Sequence, residues 1–399
     1  MYREVIRDDS SPVLIDGVRT PTGSLTGQLS DYSAVELATT CLKVMGEKID
    51  PREVDEVILG SVIQAGQGQA PARQVLLGAD WSPKIPAVTI NKVCGSGIKS
   101  ILQAVEAIRG GAPDNVIAGG VESMSNAPHL LTDYRNGKKL GDGELVDSAV
   151  HDGLWCSIGE EHMGAAAERI ADRYGLSRDQ LDEYALNSHQ RATQAEDRDC
   201  FQSERIDYPE IDRDEPVRED TSLEQLGELK PAFDEDGVVT AGNAPGLNDG
   251  ASVVAVTHER RIESFIREDF RWEDAFEIEG YAVVGEDPGN LFETPAGAIE
   301  MLLEVSDWSL DDFDRIEINE AFASQVLANC HRLELNPERI NQWGGAIALG
   351  HPIGMSGNRI VLTLMNQLRQ TDGELGLASI CMGGGNGIAM VIKRVPFSP

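Results

Sequence analysis

Gly344-Gly345-Ala346-Ile347-Ala348-Leu349-Gly350-His351-Pro352-Ile353-Gly354 opens the stretch that decides the fold, and Cys381-Met382-Gly383-Gly384-Gly385-Asn386-Gly387 closes it. Between them, apolar spacing predicts a helix over 358–368 and a strand over 377–380. The order is glycine-rich loop, helix, strand, glycine cluster. The same order occurs upstream: Cys94-Gly95-Ser96-Gly97, a helical pattern over 98–108, a strand over 115–118, then Gly119-Gly120. The residues themselves do not match, so the repeat is one of element order, and it points to a duplicated α/β unit. Further strands are expected at 13–17, 54–59, 87–91 and 315–318. A helix is expected over 32–48 with Asp31 as its N-cap, and a shorter one ending at 74–78. Strands alternating with helices argue for α/β layers. Between the halves, residues 124–248 are polar, acidic and loop-rich, with helices near 164–174 and 178–195. This reads as an insertion carrying binding loops.

The chain has 399 residues, 41% of them hydrophobic. At roughly 100–200 residues per domain this is enough for two or more domains. No apolar run approaches the ~20 residues that span a bilayer, and the charged N-terminal stretch lacks the apolar core of a signal peptide. A cytoplasmic protein is expected. Asp and Glu number 67 against 34 Lys and Arg, a net charge of −33. Such a surface repels nucleic acid and anionic membrane. The acidic excess is dispersed (142–152, 212–219, 234–236) rather than gathered in a tail. That pattern favours a surface adapted to high salt, where the Debye length falls to about 3 Å at 1 M, over an acidic protein of ordinary ionic strength. The six cysteines form no C-x-x-C pair, so neither a zinc site nor a disulfide framework is expected, and no metal is called for.

Two cysteines stand apart because glycines follow them. Cys94 falls between a predicted strand and a predicted helix, where the macrodipole and free N–H groups favour a thiolate. The competing reading is a buried structural cysteine; the Cys-Gly-Ser-Gly setting favours the nucleophile. His351 is presented by a loop of small residues and can act as a general base. Cys381 can serve as a second acid or base. Glycines around all three expose backbone N–H groups beside a reactive side chain, the makings of an oxyanion hole for covalent acyl chemistry. Asn319, after the strand at 315–318, reads equally as a helix cap or a functional amide.

Taken together, Asn91-Lys-Val-Cys94-Gly-Ser-Gly97, Asn319-Glu-Ala-Phe322, Gly344 to Gly354 and Cys381 to Gly387 resemble the thiolase family, in that family's motif order and over nearly the whole chain. Gly119-Gly-Val-Glu-Ser-Met-Ser125, His162-Met-Gly164 and Ala241-Gly-Asn-Ala-Pro-Gly-Leu-Asn-Asp-Gly250 match as well. The resemblance implies duplicated βαβαβαββ halves in α/β/α/β/α layers with an inserted loop domain. The halves would be 1–125 plus 250–277 and 278–399, with the loop domain at 126–249.

It further implies that Cys94 takes up the acyl group, His351 activates it, and Cys381 moves a proton at the α-carbon of a second acetyl-CoA. The N–H groups of Cys94 and Gly383 would form one oxyanion hole; His351 with a water held by Asn319 would form the other. His162, Met163 and Phe322 would line the acyl-pantetheine tunnel, Arg218 would meet the CoA nucleotide, and Ala241 and Pro245 would lie along the CoA. Two stretches depart from the family pattern. Pro245 replaces a frequent serine, and Leu291-Phe292-Glu293-Thr294-Pro295 replaces a turn that usually carries two glycines. The implied reaction joins two acetyl-CoA into acetoacetyl-CoA and CoA, and runs in reverse, with CoA as substrate or product and no cofactor. Alternatives are a longer-chain 3-ketoacyl-CoA thiolase and a non-catalytic acyl-CoA-binding protein of thiolase shape. A ketosynthase would pair its cysteine with His-His or His-Asn. The resemblance also implies a homodimer or homotetramer.

Overall fold

The computed structural model describes residues 1–6, 12–209, 211–270, 272 and 274–397. Its main strands are β1 (Tyr2–Val5), β2 (Pro12–Arg19), β3 (Glu56–Gly60), β4 (Ala87–Ile90), β5 (Asn115–Ser123), β6 (Asn248–His258), β7 (Asp274–Gly285), β8 (Arg315–Ile318), β9 (Leu375–Met382) and β10 (Asn386–Pro396). The helices are α1 (Ala34–Lys48), α2 (Pro71–Gly78), α3 (Ser96–Arg109), α4 (Met163–Tyr174), α5 (Arg178–Glu196), α6 (Leu223–Gly227), α7 (Ile262–Phe265), α8 (Thr294–Leu303), α9 (Ala323–Arg332), α10 (Ala346–Leu349) and α11 (Ser356–Thr371). Among the described residues, no helix is long and apolar enough to cross a membrane.

The strands run in the order β8-β9-β10-β7-β2-β6-β5-β3-β4. Parallel pairs (β8 with β9, β3 with β4 and β5) are joined through helices, and the long central strands pair antiparallel. Within the sheet, β7 pairs with β2 at Phe276–Leu14 and Glu277–Val13, and with β1 from Tyr2–Val283 to Val5–Gly280. Apolar residues on both faces of each half then demand cover. Leu37, Leu42 and Met45 of α1 pack with Val75 of α2 against Val13, Ile15 and Val253. Ile98, Ile101 and Val105 of α3 and Ile360, Leu364 and Met365 of α11 pack between Leu14 and Val254 of one half and Ala378 and Met390 of the other. Ile299 of α8 and Val326 of α9 cover Ile316, Leu377 and Val391. The result is five layers, α/β/α/β/α, with α3 and α11 in the middle.

The central pair places the site. A Cβ on Gly97 would lie 2.5 Å from the amide nitrogen of Asn358, and one on Gly357 would lie 2.7 Å from that of Ile98. Only glycine permits α3 and α11 to cross this closely at their N-terminal ends. Cys94 precedes one of these ends and His351 the other, so the crossing brings the two loops together.

Element bounds agree with the sequence-based expectations within about three residues, with four corrections. Helix α1 is capped by Ser33, whose hydroxyl accepts from Glu36 N–H while the Glu36 carboxylate accepts from Ser33 N–H, a capping box; Asp31 is not the cap. Strand β5 does not stop at Gly119-Gly120 but runs on to Ser123, because hydrogen bonds to β6 continue beyond the glycines. The glycine-rich loop over 344–354 contains a helical turn, α10. Cys381 is the seventh residue of β9 and pairs with Gly387, so it is held by a strand rather than by a loop.

Candidate active site

Cys94 sits in the turn from β4 to α3, directly after Val93, whose φ of 49° is left-handed. A β-branched residue pays about 1–3 kcal/mol to stay there. Three hydrogen bonds hold the turn. Val93 N–H donates to Asn91 Oδ1 at 2.9 Å, Lys92 N–H to Ser96 Oγ at 2.8 Å, and Ser96 Oγ–H to the Val93 carbonyl at 2.7 Å. Cys94 keeps some accessible surface, but its side chain packs against the apolar cluster of Val62, Ile63, Met124 and Ile353. Burial pushes the thiol up to about 12; the N–H groups of Cys94 itself and of Gly383 pull the other way. The helix terminus therefore does not lower this thiol, contrary to expectation: desolvation outweighs the two donors. Those donors nonetheless converge on the sulfur, where an acyl oxyanion on Cys94 would need them.

His351 is 7% exposed. Its N–H donates to Asn248 Oδ1 at 2.9 Å, and Asn248 Nδ2 donates to the Gly23 carbonyl at 3.0 Å. Its Nδ1 lies 2.6 Å from Ser356 Oγ, and Ser356 Oγ–H donates to the Pro352 carbonyl at 2.9 Å. A serine hydroxyl has one proton. With that proton on Pro352, Ser356 Oγ is left to accept, so the ring proton resides on Nδ1 and Nε2 carries a free lone pair. Nε2 is buried and has no protein partner among the described residues. Burial, helped by the Arg359 charge, pushes the imidazole down to about 3, so the ring is neutral at physiological pH. A neutral base with its lone pair uncommitted is what deprotonation of a thiol requires.

Cys381 is 1% exposed, and burial together with the nearby Cys94 raises its thiol well above the ordinary range. Asn319 follows β8, its N–H donating to the Ser379 carbonyl at 2.9 Å. Its amide Nδ2 and Oδ1 are both buried without a protein partner among the described residues. It caps no helix, since α9 begins at Ala323 with Phe322 before it. A buried amide left free at both ends is suited to holding a water.

A cavity of about 340 Å³ is lined by Cys94, His351, Cys381 and Gly383, and by His162, Met163, Pro245, Phe292 and Phe322. Asn319 is not on its wall, although its neighbours Ala321 and Phe322 are. His162 caps α4, its Nδ1 accepting from Gly164 N–H at 3.0 Å, and stacks on Phe233 at 4.9 Å; the ring N–H left for a ligand is Nε2–H. Phe322 packs edge-on between Phe292 at 5.5 Å and Phe233 at 6.4 Å. Glu293 turns away, accepting from Tyr174 Oη–H at 2.6 Å and from Arg173. Of the unusual pair, only the ring faces the cavity. Arg218 and Ala241 lie apart from the cysteines, on a second cavity of about 580 Å³ that meets the first at Ala244, Gly246 and Leu247. A larger cavity of about 610 Å³ between α5 and α9 contains none of the predicted residues.

Sequence reasoning missed Ser356, Asn248 and Glu320. Glu320 accepts from Tyr184 Oη–H at 2.8 Å, Ser188 Oγ–H at 2.9 Å, Asn341 Nδ2 at 3.0 Å and Ile347 N–H at 2.9 Å, tying the Asn319 loop to α10. Each lies inside or beside a quoted motif. The available signal was a polar side chain among small and apolar residues.

The chain is similar to known proteins over nearly its whole length. The family model described as thiolase, N-terminal domain matches residues 12–260, and that described as thiolase, C-terminal domain matches residues 273–394. A probable acetyl-CoA acyltransferase of Staphylococcus aureus (strain COL) is 43% identical over 393 residues, 96% of this chain and 98% of that protein. An acetyl-CoA acetyltransferase of Escherichia coli (strain K12) is 43% identical over 394 residues, 96% of this chain and 99% of that protein. The crystal structure of the Bacillus anthracis acetyl-CoA acetyltransferase superposes with a TM-score of 0.92 at 38% identity, covering 97% of this chain and 99% of that one.

Proposed function

Because the chain belongs to the thiolase family and is an acyltransferase, we propose that it joins two acetyl-CoA into acetoacetyl-CoA and CoA, and catalyses the reverse thiolysis, through an acyl-Cys94 intermediate. The observation that carries this reading is the convergence of Cys94, His351, Cys381 and Gly383 on one largely apolar cavity.

In the first half-reaction, His351 Nε2 takes the Cys94 proton as the sulfur attacks the acetyl-CoA carbonyl. The N–H groups of Cys94 and Gly383 bind the oxyanion. The C–S bond to CoA breaks, and the CoA thiolate leaves with the Cys381 proton. Acylation removes the Cys94 charge, which is one of the two effects raising the Cys381 thiol. Cys381 is thereby eased toward its next task, as the base that takes the α-proton of the second acetyl-CoA. His351 now carries a proton on Nε2 and becomes the donor to the thioester enolate, beside a water held by Asn319. The enolate carbon attacks acyl-Cys94, the Cys94 thiolate departs, and His351 returns its proton. One nitrogen thus serves first as acceptor and then as donor.

Arg218 and Ala241 are assigned to the CoA side, in the second cavity. Pro245, on the catalytic cavity, has no N–H and leaves the acyl-pantetheine one polar contact fewer than a serine would. Phe292, packed on Phe322, favours short acyl chains over long ones. The test is labelling with acetyl-CoA. Cys94→Ala should take up no acetyl group, whereas Cys381→Ala should become acetylated at Cys94 yet form no acetoacetyl-CoA. Turnover by Cys94→Ala would overturn the reading.

A further inference from the structure

Glu122 is a carboxylic acid at the next-to-last position of β5, with 0% exposure, directly after the apolar run from Val116 to Val121. A charge buried there is costly unless well partnered. Its partners are three backbone N–H groups from two other segments. Val62 N–H donates to Oε2 at 3.0 Å, Ile63 N–H to Oε1 at 3.1 Å, and Gly354 N–H to Oε2 at 3.0 Å. Val62 and Ile63 follow β3, and Gly354 lies three residues beyond His351. The approach is too tight for side chains: a Cβ on Gly354 would lie 2.4 Å from the Val121 carbonyl oxygen, and one on Gly120 would lie 2.0 Å from that of Gly354. The side chains carried by the pinned segments, Val62, Ile63 and Ile353, join Met124 in the cluster against which Cys94 packs.

We propose that Glu122 is a positioning residue: one carboxylate ties the His351 loop to the wall behind Cys94 and so fixes the base relative to the nucleophile. This rests on the reading of Cys94 and His351 as nucleophile and base. The electrostatics agree with it. Burial and the charge of Asp249 from β6 raise the Glu122 carboxyl to about 7, while the three N–H groups act to lower it. Glu122 in turn contributes to the raised thiol of Cys94. The carboxylate therefore aligns the pair and opposes formation of a free thiolate before substrate arrives.

Glu122→Gln tests this, because an amide presents one acceptor and faces at least one of the three N–H groups with its own NH2. In acetoacetyl-CoA thiolysis, kcat should fall on the order of 100-fold, the scale of an ~1 Å misplacement, with KM within about threefold of the parent. The pH profile of Cys94 alkylation by iodoacetamide, followed by peptide mass, should move to lower pH, because a negative neighbour is gone. Glu122→Asp keeps the charge but is one methylene too short to span both segments. It should restore the alkylation profile without restoring kcat, and it stands as the test if the glutamine variant fails to fold. An unmoved alkylation profile in Glu122→Gln, or a kcat within threefold of the parent, would overturn the proposal. If the parent itself formed no acyl-Cys94, the catalytic reading would fail while the alkylation comparison still judged Glu122.

Discussion

Ser356→Ala removes the one group that orients the proton of His351. In the parent, Nδ1–H is anchored by Ser356 Oγ at 2.6 Å in a site where His351 is 7% and Ser356 1% exposed. Without that acceptor, Nδ1–H becomes a buried unpaired donor, at a cost of about 1–3 kcal/mol. The other tautomer, with its proton on Nε2, escapes that cost but cannot accept the Cys94 proton. The balance between useful and useless tautomers therefore shifts by the same energy, a factor of about 5–150. Acyl-enzyme formation, followed as the rapid burst of CoA released from acetyl-CoA, should slow about 10- to 100-fold. KM should change little, since Ser356 is not on the cavity wall. Stability should fall by about 1–2 kcal/mol in chemical denaturation. A burst rate within twofold of the parent would refute the tautomer argument, whatever happened to stability.

Two further outcomes are expected. Phe292→Ala removes a ring that is 3% exposed on the cavity wall. The ratio of kcat/KM for 3-ketooctanoyl-CoA over acetoacetyl-CoA should rise about tenfold or more, since each added methylene is worth about 1–3 kcal/mol in an apolar pocket. Arg19→Met removes the cation shared by Glu204 and Asp214, each 2.7 Å from the guanidinium and all three at most 1% exposed. Removing one member of a buried ion cluster should cost about 3–5 kcal/mol in denaturant unfolding. Its acid limb should also flatten. Burial alone would raise Asp214, but Arg19, joined by Arg205 and the Thr22 N–H, outweighs it and holds the carboxyl below its usual range. The parent therefore gains stability above the ordinary carboxylate pKa, about 4, and loses it as pH falls through the depressed value. The variant keeps only the part of that gain due to Arg205 and the Thr22 N–H.

The reactive residues were legible because their chemistry is local. A cysteine or histidine on a turn cleared of side chains announces itself within four or five residues, and the helix and strand beside it follow from apolar spacing. What escaped was set by distant contacts. Gly119-Gly120 look like a strand end, yet both lie in β5: pairing with β6 runs on past them, and Gly120 is glycine because the His351 loop presses against it. The Cys94 thiol looks activated beside a helix terminus, but the cluster that desolvates it is assembled from several distant segments of the chain. Ser356 becomes a partner of His351 only once Pro352 has claimed its hydroxyl proton, and Glu293 looks like a threat to the pocket until Tyr174 and Arg173 turn it aside. The cap at Ser33 is a different case. Ser33-Ala-Val-Glu36 was readable as a capping box, and preference for the earlier aspartate was an error of reading.

The crossing of α3 and α11 at Gly97 and Gly357 also bears on when the molecule becomes competent during folding. Cys94 and His351 belong to different halves and are separated by more than half the chain, and the contact that unites them is between helices of opposite halves. Each half can gain its local helices and strands early, since contacts of short range in the chain form fastest. Docking of the halves has to wait for both. During that interval the reactive thiol exists without its base, and the raised thiol that the finished core imposes has not yet been set. The buried setting that makes Cys94 unreactive on its own is therefore completed only as the site closes, and a half-docked chain is the state in which this cysteine is most open to unwanted alkylation or oxidation.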